Sequence, residues 1–235
     1  MTTGINVTPS SLAESRVYID ERDPIGWENL VEFRLLYEGE LLSSGNKPKP
    51  ENKHAIRRVL HPQLRHLWKT SKSLRQYAAH LGITVAPYDG SEDERIERGV
   101  HKIGVNYERA GYNCIPLVTE SFALRCSVDI LILRPDESQV IHKDGGDLDG
   151  KVKTIFDALQ MPKDLANAGG VGPQQDETPF YCLLEDDKLI TEFRVTGDQL
   201  LSLPGQRSPK MSDSFIEVHV RINHRGGGPF DRWFD

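Results

Sequence analysis

Phe122, Leu124, Cys126, Val128, Ile130 and Ile132 all stand on one parity of a single stretch, and this alternation constrains the fold more than any other feature of the chain. An extended strand sends successive side chains to opposite faces, so apolar residues at every second position demand a strand with one face in a core. The same stretch begins earlier, at Tyr112, with Ile115, Leu117 and Val118. Further strands are read at Phe180 to Leu184, Leu189 to Val195 and Phe215 to Ile222. Val31, Phe33, Leu35 and Tyr37 alternate in the same way between Leu30 and Leu42.

Helical spacing occurs twice. Between Lys53 and Leu81, Ile56, Leu60, Leu64, Leu67 and Trp68 recur at steps of three and four, with Pro62 predicting a break or restart near His61. The polar side of that region carries Arg57, Arg58, Arg65, Lys69, Lys72 and Arg75, together with His54, His61 and His66. A solvated helix face and a phosphate-contacting surface both account for it. The second helix follows a polar loop that runs to Gly146. Val152, Ile155, Phe156 and Leu159 form its buried face and Pro162 ends it.

The strands and helices together predict an α/β or α+β fold, a mixed sheet flanked by helices. Residues 1–28 read as an irregular arm to which Val17, Tyr18 and Ile19 could add a short strand, and 29–225 read as a single domain. Residues 226–235 read as a tail with Phe230, Trp233 and Phe234. Residues 161–179, rich in Gly, Ala, Gln and Pro, read as an excursion from the core. The acidic run Ser91 to Glu97 reads as an exposed loop or helix end.

Composition excludes several classes. No stretch approaches the run of about 20 apolar residues that crosses a bilayer. The polar start, Met1 to Glu14, lacks the basic and apolar parts of a secretory signal, so a cytoplasmic protein is expected. Cys114, Cys126 and Cys182 include no CxxC pair and cannot all be paired within one chain, which predicts reduced, mostly buried thiols. A net charge of -6 argues against coating nucleic acid through bulk electrostatics, so any DNA contact must use local basic patches. Zinc HExxH, nucleophile-elbow GxSxG and Walker phosphate-loop patterns are all missing.

What remains is a set of carboxylates. Asp147 and Asp149, separated by one residue at a glycine-rich helix entry, can converge on one hard cation, because Mg²⁺ seeks oxygen ligands. Lys153 lies four residues after Asp149, about one helical turn, and so shares its face. Capping of the helix N-terminus explains the two aspartates equally well. Downstream, an apolar strand stops at Glu185-Asp186-Asp187 and resumes at Leu189-Ile190. That puts carboxylates at a turn, either solvated or facing the helix start.

The blocks Asp147-Leu148-Asp149-Gly150-Lys151-Val152-Lys153, then Phe156-Asp157-Ala158-Leu159, and Asp186-Asp187-Lys188-Leu189-Ile190 occur in this order. Together they resemble the pattern of RusA-like Holliday junction resolvases over a core of about 122–222. The resemblance implies a RusA-like core and a homodimeric, Mg²⁺-dependent (or Mn²⁺-dependent) endonuclease of branched DNA, acting in recombination and repair. It implies that Asp147, Asp149 and Asp187 bind the metal, with Asp186 as an alternative or supporting ligand, while Lys153 contacts the scissile phosphate or stabilises developing negative charge. Asp157 matches the family helix and either caps, pairs with Lys153 or orients a ligand. Arg57, Arg58, Arg65, Lys69 and Lys151 are the candidate DNA contacts. Gly150 replaces the usual Asn, and the connection from Leu159 to Asp186 is longer than the family pattern by roughly fifteen to twenty residues, beyond ordinary loop lengths. Two rivals are a non-catalytic nucleic-acid-binding relative and a structural or partner-binding protein that uses the aromatic tail.

Overall fold

A computed structural model describes residues 31–44, 49–83, 90–135, 148–201 and 213–224. The N-terminal arm, His142, Asp147 and the aromatic tail lie outside them.

The N-terminal alternation forms β1, Glu32–Glu40. It is followed by helices α1, Pro50–Thr70, α2, Lys72–Ile83, and α3, Glu92–Asn106. A two-residue strand β2, Glu108–Arg109, leads into β3, Tyr112–Val118, and β4, Leu124–Arg134. After α4, Leu148–Leu159, come β5, Phe180–Leu184, β6, Ile190–Gln199, and β7, Asp213–His224. The mixed architecture expected from the sequence is therefore present, but the strands divide between two sheets. One has the order β1-β7-β4-β6 and the other β2-β3-β5. β5 was expected in the main sheet and instead pairs in parallel with β3. A tight turn at 119–123, with Ala123 at φ 52°, breaks the long apolar stretch and sends β3 and β4 to different sheets. β4 buries alternate residues over much of its length and β3 nearly every residue, but both are apolar enough for a core, so strand pattern alone does not assign partners.

α1 runs unbroken through Pro62. The proline side is exposed, so the carbonyl that loses its hydrogen bond can turn to water, and the helix ends instead at Ser71. The acidic run opens α3, where Ser91 and Glu94 form a reciprocal capping box. α2 and α3 touch backbone to backbone, because a Cβ added at Gly99 would lie 1.8 Å from the Ala78 carbonyl oxygen.

Ile56, Leu60, Leu64 and Trp68 of α1, Ile155 and Leu159 of α4, and the inward residues of both sheets make one continuous core. A smaller cluster on the far side of β3 and β5 joins Tyr112, Cys114, Phe180 and Cys182 to Met161 and Ala168. The 161–179 excursion is thus packed against the core at its Met161 and Ala168. All three cysteines are free and buried. Among the described residues no helix is long and apolar enough to cross a membrane.

Candidate metal and phosphate site

The first turn of α4 is clamped to the chain that leaves β1. The Ser44 amide donates to the Gly150 carbonyl at 3.0 Å. The buried Thr154 hydroxyl lies 2.8 Å from both the Leu42 carbonyl and the Ser44 hydroxyl. Having one proton to give to a carbonyl, it accepts that of Ser44. These bonds fix the pitch and rotation of the helix that bears the acidic motif.

Asp149 and Lys153 are exposed, and Phe156 is half-buried. Their spacing, i, i+4 and i+7, puts all three on one stripe of α4. Neither Asp149 nor Lys153 has an ion-pair partner among the described residues. Asp157 lies beside that stripe, but its carboxylate pairs at 2.5 Å with the buried ammonium of Lys53 on α1. It ties α1 to α4, and neither pairs with Lys153 nor caps the helix.

The helix ends against β5, where Gln160 bridges Leu184 and the Met161 amide donates to the Leu184 carbonyl at 2.9 Å. The chain leaving β5 carries the second acidic block. Glu185 accepts from the Glu120 amide at 3.0 Å. Asp186 caps a 3-10 turn, Asp187–Leu189, by accepting from the Lys188 amide at 3.1 Å. Asp187 at the start of that turn is exposed and without a side-chain partner among the described residues. The turn packs on α4 and β4. The structure therefore brings the two blocks onto adjacent elements. Among the described residues no three His, Cys, Asp or Glu side chains form a metal-holding group, and Asp147 lies outside those residues.

β6 begins at this turn with a bulge. Cys126 of β4 faces Ile190, but its neighbour Ser127 faces Glu192, so Thr191 is extra. A one-residue slip exchanges the two faces of a strand. Phe193 rather than Glu192 consequently lies beside Val128 on the α4 side, and its ring meets that of Phe156 at 5.2 Å and 84°.

The basic residues of α1 sort differently from expectation. Arg57 is 3% exposed, and its guanidinium donates to the carbonyls of Gln160, Asn167 and Asp157 and to the Asn167 side chain. Arg58 pairs at 2.6 Å with buried Glu177, and Lys151 is buried. Arg57 and Lys151 are thus withdrawn from any DNA surface. Of the five candidates, only Arg65 and Lys69 are exposed. The reason is that α1 buries two faces: the polar one meets the excursion, whose folding the helix pattern could not reveal.

His54 and His61 belong to this polar interior. His61 Nδ1 accepts from the Tyr181 amide at 2.9 Å, so Nε2 carries the proton and donates to the Asp176 carbonyl at 3.1 Å. Burial lowers the His61 pKa, and burial with the nearby Arg58 and Arg57 pushes that of His54 down to about 4.

No family model, curated protein or solved structure matches this chain. The likeness to RusA-like resolvases consequently remains one of motif order and spacing. Phe193, Thr154 and Ser44 are additions that the motif did not indicate. The Phe193 side depends on a bulge with no sequence signature, whereas the Thr154 pairing could have been sought because a buried hydroxyl on a helix face needs a partner.

Proposed function

We propose that this chain is a divalent-metal-dependent endonuclease that hydrolyses DNA phosphodiester bonds, with branched DNA such as four-way junctions as its substrate. The observation that carries the reading is the packing of the Asp187 turn on α4, whose exposed stripe presents Asp149 and Lys153. Exposed carboxylates that no described cation neutralises have the donor chemistry of a hard cation site. Asp147, Asp149 and Asp187 would hold Mg²⁺ or Mn²⁺. Asp186, committed to capping, sets the Asp187 turn. When bound, the ion supplies phosphate polarisation and a lowered pKa for coordinated water. Lys153 contacts a non-bridging phosphate oxygen and offsets the charge that develops there. The Ser44 and Thr154 clamp keeps Asp149 and Lys153 in a fixed orientation, so little reorganisation is needed. Paired cuts across a junction require two such sites, hence a homodimer. Three reduced, buried thiols accord with a cytoplasmic setting.

The test is Mg²⁺-dependent cutting of four-way junctions, forks and duplexes by the native chain, Asp149→Asn and Lys153→Ala. Asp149→Asn should lose cutting at least about 100-fold and Lys153→Ala by about 100- to 1,000-fold, with unchanged circular dichroism because both side chains are exposed. Full cutting by Asp149→Asn removes the assignment. Equal cutting of all three substrates removes branch selectivity alone.

A further inference from the structure

Phe193 is 56% exposed, unusual for an aromatic that a bulge has turned toward the helical side of a sheet. Its only ring partner among the described residues is Phe156, met nearly at right angles. Among the described residues β6 is the last strand of its sheet, so no described strand flanks the ring on that side. The position is specific. Phe156 ends the stripe that starts at Asp149, seven residues or about 10 Å along the helix axis, which is the rise of about three stacked nucleotides. Of its strand neighbours, Thr191 is exposed and polar, Glu192 and Arg194 are exposed on the opposite face and Val195 is half-buried, so Phe193 is the one exposed large hydrophobic of β6 and stands apart from a patch of the size that protein partners bury. An isolated aromatic beside a phosphate site matches the surface of a nucleobase, which stacks through its π-face with little regard to sequence.

We infer that Phe193, held edge to face by Phe156, is the platform on which an unpaired base next to the scissile phosphate stacks. This rests on the nuclease reading of the acidic site. It narrows the substrate to DNA with an unpaired nucleotide within a few positions of the cut, such as a fork, flap or opened junction arm, since a fully stacked duplex cannot offer that face.

The experiment uses the full chain carrying Asp149→Asn, so that DNA is not consumed, with Phe193 retained or changed to Ala, Leu or Trp. The probe is a forked DNA bearing 2-aminopurine at its first unpaired position, with a fully paired duplex of the same sequence as control. Stacking on an aromatic is lost in the Ala and Leu forms and kept by Trp. Fork affinity should therefore fall about tenfold in Ala and Leu and recover in Trp, while duplex affinity stays level. The 2-aminopurine emission should be quenched on binding only in the Phe and Trp forms. Leu separates stacking from mere apolar area. Fork binding and emission that are the same in all four forms overturn the platform. A Phe193→Ala chain that changes its sedimentation while leaving emission unaltered also overturns it, and assigns the ring to a chain-to-chain contact. If no form binds either DNA and the native chain cuts none, the nuclease reading falls and the platform with it, whereas Phe193-independent binding removes the platform alone.

Discussion

His54 carries a consequence of burying a titratable group among arginines. An ordinary histidine binds a proton near pH 6.5, but His54 resists until about pH 4, because charging it would cost desolvation and repulsion from Arg58 and Arg57. Its folded pKa is depressed, so its contribution is fully present above the unfolded value. It is lost as pH falls from there toward the folded one. His61 acts in the same direction. Between roughly pH 7.5 and about pH 5, above most carboxylate titration, His54 alone should remove about 2 kcal/mol of stability. Urea unfolding midpoints across that interval measure the effect. A constant midpoint would mean that His54 charges freely in the folded chain.

At the scale of elements, α1 is a tie between layers. Its apolar face enters the main core, and Lys53, Arg57, Arg58 and His61 hold α4 and the 161–179 excursion. Of the four hydrogen bonds from one buried guanidinium, two go to Asn167 of that excursion and two to the Asp157 and Gln160 carbonyls at the end of α4, so Arg57 fastens the excursion to the helix. Arg57→Met should cost on the order of 3 kcal/mol, since it leaves several buried carbonyls without donors. Amide hydrogen exchange should accelerate within 161–179 before it does in β4 or β7. Unaltered exchange in the excursion would show that Phe180, Met161 and Ala168 order it unaided. The length of this connection, awkward for the family likeness at the level of sequence, has a structural use: it covers the second face of the smaller sheet.

For the whole molecule, the two sheets share a core. Ile115, Leu117 and Leu183 of the smaller sheet lie in the same buried cluster as Val128, Ile130, Ile216 and Val220 of the larger one. Neither sheet buries its apolar face without the other, so unfolding should be a single cooperative event despite the separate hydrogen-bonded ladders. Far- and near-ultraviolet circular dichroism should give coincident urea midpoints. Two separated transitions would show that the sheets are independent folding units.

The sequence by itself determined the strands and helices whose periodicity is strong, since alternation at Phe122 to Ile132 and three-to-four spacing at Ile56 to Trp68 each admit a single backbone period. It also determined the acidic blocks and their order, because the residue types and spacing are local properties. The tertiary structure alone decided which strands pair, because β3, β4 and β5 are all apolar enough to sit in either sheet. It alone decided that Arg57 is interior while Lys153 is exposed, because burial of a charged helix face depends on what folds over it. The candidate site was legible as two carboxylate-bearing segments with a lysine. That the Asp187 turn packs on α4, and that a bulge at Thr191 turns Phe193 toward it, follow from contacts between residues far apart in the chain, which no local pattern encodes.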